Sequence, residues 1–453
     1  MKRRTVALIL SATVAVVVLS VAWVFGVSPS LEASPDSSDV APPPETEFSG
    51  EATAVLLSGA DGSPPSPAAV AALWETFSTD LPERWVPWAV VADASNGELI
   101  FESGIDTPHT PASTTKLLTG FFALSYLDPS ETLSTGVSVE GSTLYLWGEG
   151  DLTLAPGEGD PNAAYGRAGV ADLAAKVADG LSGETGPFQL VYQANFTSER
   201  RSPAWYEQDV LDFAGDLSAF AIDTGRTYPG AWEFVPDSAE AVAQALSESL
   251  GEVGVGVSAI VAGGVPPATA KTVAEVESAP LIDQIRFMLE TSDNTMAEQL
   301  CHLADAAAGQ EAPTFESSTT RLVETLQAAG VDTSGTVIYD CSGLNKHNRV
   351  PPRALLQAMQ ASFDTPGTAV LTRLLPVAAV SGTLSSRLEE GDGAANYAAK
   401  TGSLGRTSTV AGIGSTRSGG TIYVLVGVDD VPDDGAWYAR EPIDAFLEAL
   451  FAL

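Results

Sequence analysis

Behind the basic start "MKRR", Thr5 to Val27 ("TVALILSATVAVVVLSVAWVFGV") runs 23 residues without a charge. As a helix it would be roughly 34 Å long, enough to cross a bilayer. Ser28 to Gly50 ("SPSLEASPDSSDVAPPPETEFSG") then loses all apolar periodicity and reads as a flexible tether. Periodicity returns at Ser66 to Thr79, whose apolar spacing predicts a one-faced helix. "WAVVADASNGELIFES" alternates on both sides of Asn96-Gly97 and predicts a hairpin. "TPASTTKLLTG", Thr110 to Gly120, opens the next helix. From Leu127 to about Ala270, short strand-like pieces ("GVSVEGSTLYLWGEGD", "PFQLVYQANFTS") alternate with turns and Ala-rich helices. Helical texture resumes from Ala279 to Gly309. Near the end, "NYAAKTGSLGRTSTVAGIGSTRSGGTIYVLVGVDDVP" predicts three strands with tight turns. A last helix after Ala436 puts Ile443, Phe446, Leu447 and Leu450 on one face.

The early hairpin and the late strands lack neighbours of their own. The economical solution is one antiparallel sheet built from both ends of the chain and flanked by helices, an α+β class of α/β protein. On this reading 1–27 is a membrane anchor or signal segment and 28–50 a tether. Residues 51–126 and 271–453 form one discontinuous domain, and 127–270 an inserted α/β domain.

Charge narrows the partners. Lys and Arg number 22 against 58 Asp and Glu, a net charge of −36. Nucleic acid is therefore not an expected partner, since a polyanion needs clustered positive charge. The basic residues before Thr5 orient the apolar segment so that everything beyond Val27 is exported. The chain then lies on the extracytoplasmic face of the membrane, or is secreted if the segment is cleaved. Cys301 and Cys341 are the only cysteines. In an exported chain such a pair reads as a disulfide; the lesser alternative is that Cys301, which follows a helical "AEQL", simply packs in the core.

The chemistry centres on Ser113 and Lys116. Three residues apart at a helix start, they share a face. A serine hydroxyl needs a base within reach, and a lysine can serve once burial lowers its pKa. Of the six lysines, only Lys116 has a serine three positions before it. Lys400 opens "KTGS" (Lys400, Thr401, Gly402, Ser403) on a predicted strand, and Ser292-Asp293-Asn294 is the only S-x-N. The ordered triple S-x-x-K, S-x-N, K-T-G is the set used by β-lactamases and penicillin-binding proteins. No G-x-S-x-G elbow and no H-E-x-x-H occurs. His109, near Ser113, reads as polar surface.

With these motifs the chain resembles the class C low-molecular-mass penicillin-binding proteins, the D-alanyl-D-alanine carboxypeptidase/endopeptidases. The likeness runs from about Val86 to Val431. It includes "PASTTKLLT", "WGEGDLTLAP", "SDNTMAEQL", "SGLNKHNRVPPRAL" and "SGTLSSRL", with a 179-residue interval from Ser113 to Ser292. Cys341, Asn345-Lys346 and Arg406 depart from the usual blocks. The resemblance implies a penicillin-binding/β-lactamase-like core. It implies that Ser113 is acylated, Lys116 is the base and Ser292 relays a proton to the leaving D-alanine. Asn294 would hold the substrate amide; Lys400, Thr401, Gly402 and Ser403 would bind the terminal carboxylate. No metal or other cofactor is expected. The implied partners are peptidoglycan stem peptides, β-lactams as covalent inhibitors, and the membrane through the N-terminal segment. A β-lactamase or esterase on the same fold, or a catalytically silent cell-wall- or β-lactam-binding protein, is the alternative reading.

Overall fold

A computed structural model describes residues 62–453. The expected anchor and tether, 1–27 and 28–50, lie outside the described residues. Among those described, no helix is long and apolar enough to cross a membrane.

Ser66 caps the first helix, α1 (Pro67–Asp80), by accepting from the Ala69 N–H. The hairpin β1 (Val86–Asp93) and β2 (Leu99–Ser103) comes next, with Gly97 in the left-handed conformation that its turn requires. Helix α2 (Thr115–Tyr126) leads into β3 (Ser134–Glu140), β4 (Thr143–Gly148) and β5 (Asp151–Leu154). The chain continues through α3 (Val170–Gly180), β6 (Phe188–Gln193), α4 (Pro203–Gln208), β7 (Phe220–Ile222), α5 (Ser238–Glu252), β8 (Val257–Gly263) and β9 (Lys271–Glu277). Four helices succeed them: α6 (Leu281–Thr291), α7 (Asn294–Ala307), α8 (Phe315–Ala328) and α9 (Pro352–Asp364). The chain closes with β10 (Tyr397–Leu404), β11 (Thr407–Ser415), β12 (Thr421–Asp429) and α10 (Arg440–Phe451).

The strands of the two chain ends form one antiparallel sheet, ordered β10-β11-β12-β1-β2. Its central strands are buried on both faces. On one face α1 and α10 cover it through Val70, Phe77, Ile443, Phe446, Leu447 and Leu450. On the other, the apolar faces of α2, α6, α7 and α9 make the larger core, with Leu117, Phe121, Met288, Leu300 and Met359 fully buried. A second five-stranded sheet, β8-β6-β4-β3-β9, mixes parallel and antiparallel pairs and packs on α3 and α5. Here one expected boundary needs correction. Lys271–Glu277, expected in the catalytic segment, is β9, paired antiparallel with β3 and thus part of the inserted sheet. Its buried and exposed positions alternate toward its C-terminal end, as a half-covered strand of either sheet would, so its pattern alone does not say which sheet it joins.

The helical run from Ala279 to Gly309 is also divided. Ser292 adopts φ 62°, ψ 28°, in the left-handed region, and ends α6. Asp293 then caps α7 by accepting from the Met296 N–H.

Candidate active site

Ser113 sits in a single 3₁₀ turn, Ala112–Thr114, and Lys116 in the first turn of α2. Despite the change of helix type, the Lys116 ammonium donates to Ser113 Oγ at 3.0 Å. Its other two protons go to Asn294 Oδ1 and the Ser342 carbonyl, each at 2.7 Å. All three ammonium donors are therefore committed, and the side chain has no exposure to solvent. Burial lowers its pKa from the usual lysine range to about 8, against the opposing pull of Asp293, Glu298 and Asp340.

The residue before the serine is strained. Ala112 has φ 48°, costly for a residue with a Cβ, and is fully buried. Two glycines let other chain segments press against this turn. A Cβ on Gly343 would stand 1.9 Å from the Ala112 carbonyl oxygen. One on Gly402 would stand 2.9 Å from the Pro111 carbonyl oxygen and 3.1 Å from the Ser113 nitrogen. The Lys-Thr-Gly strand thus lies directly against the serine turn, with Thr409 of β11 donating to the Pro111 carbonyl at 3.1 Å.

Lys400 is as buried as Lys116 and donates to the Thr401 carbonyl at 2.9 Å. Burial, and then repulsion from Lys116, hold its pKa well below the usual lysine value. Thr401 donates to Thr383 Oγ1 at 2.8 Å, which orients its hydroxyl, while Ser403 is exposed on the strand edge. Ser113, Ser292, Asn294 and Thr401 are only half-buried. The residues bearing hydroxyl and amide groups are thus partly open to solvent, while the two amines are fully buried.

Several supporting residues escaped the sequence reading. Glu298, one turn after Asn294 and fully buried, accepts from the Cys341 and Ser342 N–H groups at 3.0 and 2.7 Å. It thereby holds the Ser342 carbonyl under Lys116. Burial and the nearby Asp340 raise its pKa. Asp340 gathers the Gly343 and Asn345 N–H groups, Asn348 Nδ2 and the indole of Trp205 on α4. The i, i+4 spacing of Asn294 and Glu298 was the one available signal; nothing local marks Asp340. His109 is not surface. It is buried, bonded through Nδ1 to Asp429 Oδ2 at 2.6 Å, and stacked on Trp88 at 5.0 Å. Cys301 and Cys341 are joined by a disulfide, buried behind the Ser342 loop.

The inserted segment reaches the site from the side. Asn294 Nδ2 donates to the Phe213 carbonyl at 2.8 Å. Asp293 Oδ2 accepts from Thr224 and Arg226, both at 3.2 Å.

Comparison with known proteins decides the relationship. The family model for D-Ala-D-Ala carboxypeptidase 3 (S13) matches residues 75–233 and 230–450. The chain belongs to the S13 family of D-Ala-D-Ala carboxypeptidases. This carboxypeptidase is 33% identical over 376 residues to carboxypeptidase DacB of Mycolicibacterium smegmatis, covering 80% of its own length and 79% of the relative's. It is 27% identical over 408 residues to a D-alanyl-D-alanine carboxypeptidase of Actinomadura, covering 73% and 75%. Among solved structures it shares the fold of penicillin-binding protein 4 from Haemophilus influenzae. That match has TM-score 0.67 and 20% identity, covering 83% of this chain and 98% of the other. The S13 family is one of serine carboxypeptidases and places this chain among the low-molecular-mass penicillin-binding proteins. The α+β core expected for them is the fold observed.

Proposed function

We propose that this carboxypeptidase trims the terminal D-alanine from peptidoglycan stem peptides through an acyl-Ser113 intermediate, and that β-lactams acylate the same serine. One observation carries the reading: a fully buried lysine ammonium bonded at once to Ser113 Oγ, Asn294 Oδ1 and the Ser342 carbonyl. With a pKa of about 8, roughly a tenth of Lys116 is neutral at pH 7. The neutral amine takes the Ser113 proton as Oγ bonds to the carbonyl carbon of the penultimate D-alanine. The oxyanion that forms is met by the backbone N–H groups of Ser113 and Ser403, a pairing supported by the close approach of Gly402 to the Ser113 nitrogen. The C–N bond then breaks, and the proton passes through Ser292 to the leaving D-alanine nitrogen. Asn294 holds the substrate amide. Lys400, Thr401 and Ser403 take the terminal carboxylate, an anion well suited to restoring the charge of a buried amine. Water hydrolyses the ester and returns the proton to Ser113.

The cell-wall substrate is supported by family membership. The β-lactam reading is supported by a second structure of the H. influenzae protein in complex with a β-lactam (TM-score 0.65, 19% identity, covering 83% of this chain and 98% of that one). Cleavage of cross-links as well as chain ends fits the same chemistry. The N-terminal apolar segment supports export and tethering to the outer face of the membrane. The test is intact-protein mass spectrometry with penicillin and with a D-Ala-D-Ala peptide. A stable penicilloyl adduct and peptide cleavage, both lost in Ser113→Ala with the fold retained, are expected. Labelling that survives Ser113→Ala would overturn the nucleophile, and rapid turnover of the drug would make the protein a β-lactamase instead.

A further inference from the structure

Beside the serine site the inserted segment encloses an open cleft of about 940 Å³, walled by 198–216 and 232–236. We infer that this cleft binds the amino-sugar strand from which the stem peptide hangs; the inference deepens the peptidoglycan reading and rests on it. Three aromatic side chains line the cleft with much of their surface in solvent: Tyr206 at 63%, Phe213 at 49% and Trp232 at 60%. A cluster of exposed rings in a concave site marks a binding surface. Tyr and Trp in particular pair an apolar face with a polar edge.

The charges decide between ligands. Arg200 and Arg201 are both taken up by Asp216, and Arg200 also by Asp237, so the cations of the cleft are neutralised from within. Asp212 and Glu233, also on the wall, have no ion-pair partner among the described residues and remain as acceptors. Acceptors without spare cations, on a chain of net charge −36, repel a polyanion. They suit an uncharged polyol, whose hydroxyls donate to carboxylates and whose pyranose C–H faces lie on aromatic rings.

The cleft also adjoins the catalytic residues. Phe213 lends its carbonyl to Asn294, and Phe234 lies under Arg226, at 4.8 Å, which reaches Asp293. The cleft therefore lies beside the residues that would hold the peptide, within reach of the sugar-bearing end of a bound stem.

The test compares a disaccharide-linked stem pentapeptide with the same peptide lacking sugar. The wild-type protein should show kcat/KM at least about tenfold higher on the linked substrate. Trp232→Ala, and separately Tyr206→Ala, should lower that value by about 2- to 12-fold and leave the free peptide unchanged. Tetra-N-acetylchitotetraose should quench intrinsic fluorescence in the wild type and not in Trp232→Ala. Equal wild-type rates on the two substrates would overturn the inference. So would equal slowing of both by Trp232→Ala, which would make the occupant a peptide. Quenching by the sugar in a protein that cleaves neither substrate would uphold the sugar site and sink the peptidase reading.

Discussion

Gly402→Ala tests how closely the Lys-Thr-Gly strand must approach the serine turn. The added Cβ would stand 2.3 Å from Thr409 Oγ1, 2.9 Å from the Pro111 carbonyl oxygen and 3.1 Å from the Ser113 nitrogen. Against an ordinary contact of 3.4 Å these fall short by about 1.1, 0.5 and 0.3 Å. The threonine hydroxyl can rotate away, at the loss of its bond to Pro111. The other two atoms are backbone on either side of Ala112, already held at φ 48°. They can yield only by moving the serine turn and β10 apart by a few tenths of an ångström. Since a misplacement of about 1 Å can cost about 10²-fold, half of that predicts about a tenfold loss in acylation. Overpacking should also cost about 1–3 kcal/mol of stability. The assay is the second-order rate of labelling by a fluorescent penicillin, with thermal unfolding followed in parallel. Adding Thr409→Ala removes the worst overlap but leaves both backbone contacts, so the double variant should recover only in part. A folded Gly402→Ala protein that acylates within about twofold of wild type would refute the close-approach argument, as would full recovery in the double variant.

The remaining predictions concern the charges and the disulfide. Because burial lowers the Lys116 pKa to about 8, the neutral base gains population as pH rises, so kcat/KM for acylation should climb through pH 8 and level above it; a profile flat across that range would show that Lys116 is not the base. Lys400→Ala should slow acylation by D-Ala-D-Ala peptides by about 30- to several-thousand-fold, and much less for a donor whose leaving group is a carboxamide. Equal slowing of the two would assign Lys400 to proton or oxyanion work. Reducing the Cys301–Cys341 disulfide, which closes a 40-residue loop, should remove about 4 kcal/mol in denaturant unfolding, and an unchanged midpoint would contradict this. Arg226→Ala leaves Asp293 without its 3.2 Å cation partner and should slow acylation by about tenfold with the fold kept, as read by the same penicillin rate.

The features legible in the sequence were those that depend on short range. Ser66 and the Asn96-Gly97 turn fix local hydrogen bonds, and the apolar period of the last helix predicted its buried face except for Phe451. Ser113 and Lys116 were legible because three residues of helix suffice to bring them together. The rest of the site is assembled from distant parts of the chain. The carbonyl under Lys116 lies 226 residues away, and the Trp205–Asp340 bond spans 135. A buried acid such as Asp340 looks in sequence like any other in a chain with 58 acidic residues. His109 misled because a histidine next to prolines and threonines suggests a loop. Its partner Asp429 lies 320 residues on and becomes its neighbour only when β12 joins the sheet. The β9 boundary was missed for a related reason, since pairing with β3 is a tertiary choice between two equally strand-like destinations.

The sheet that carries Lys400 has a consequence in time. Val86 is registered against Asp429, so β1, already paired with β2, cannot find its second neighbour until the chain has grown 343 residues further. The strands of the inserted sheet all fall between Ser134 and Glu277 and can pair long before. Non-local pairing of this kind is slow and leaves an unpaired hairpin waiting during synthesis. Ser113 emerges early, yet until β10 and β11 are made Gly402 and Thr409 cannot close on its turn. Synthesis therefore works as a timer: a ribosome that stops short of the last strands releases a chain with a serine and no enzyme.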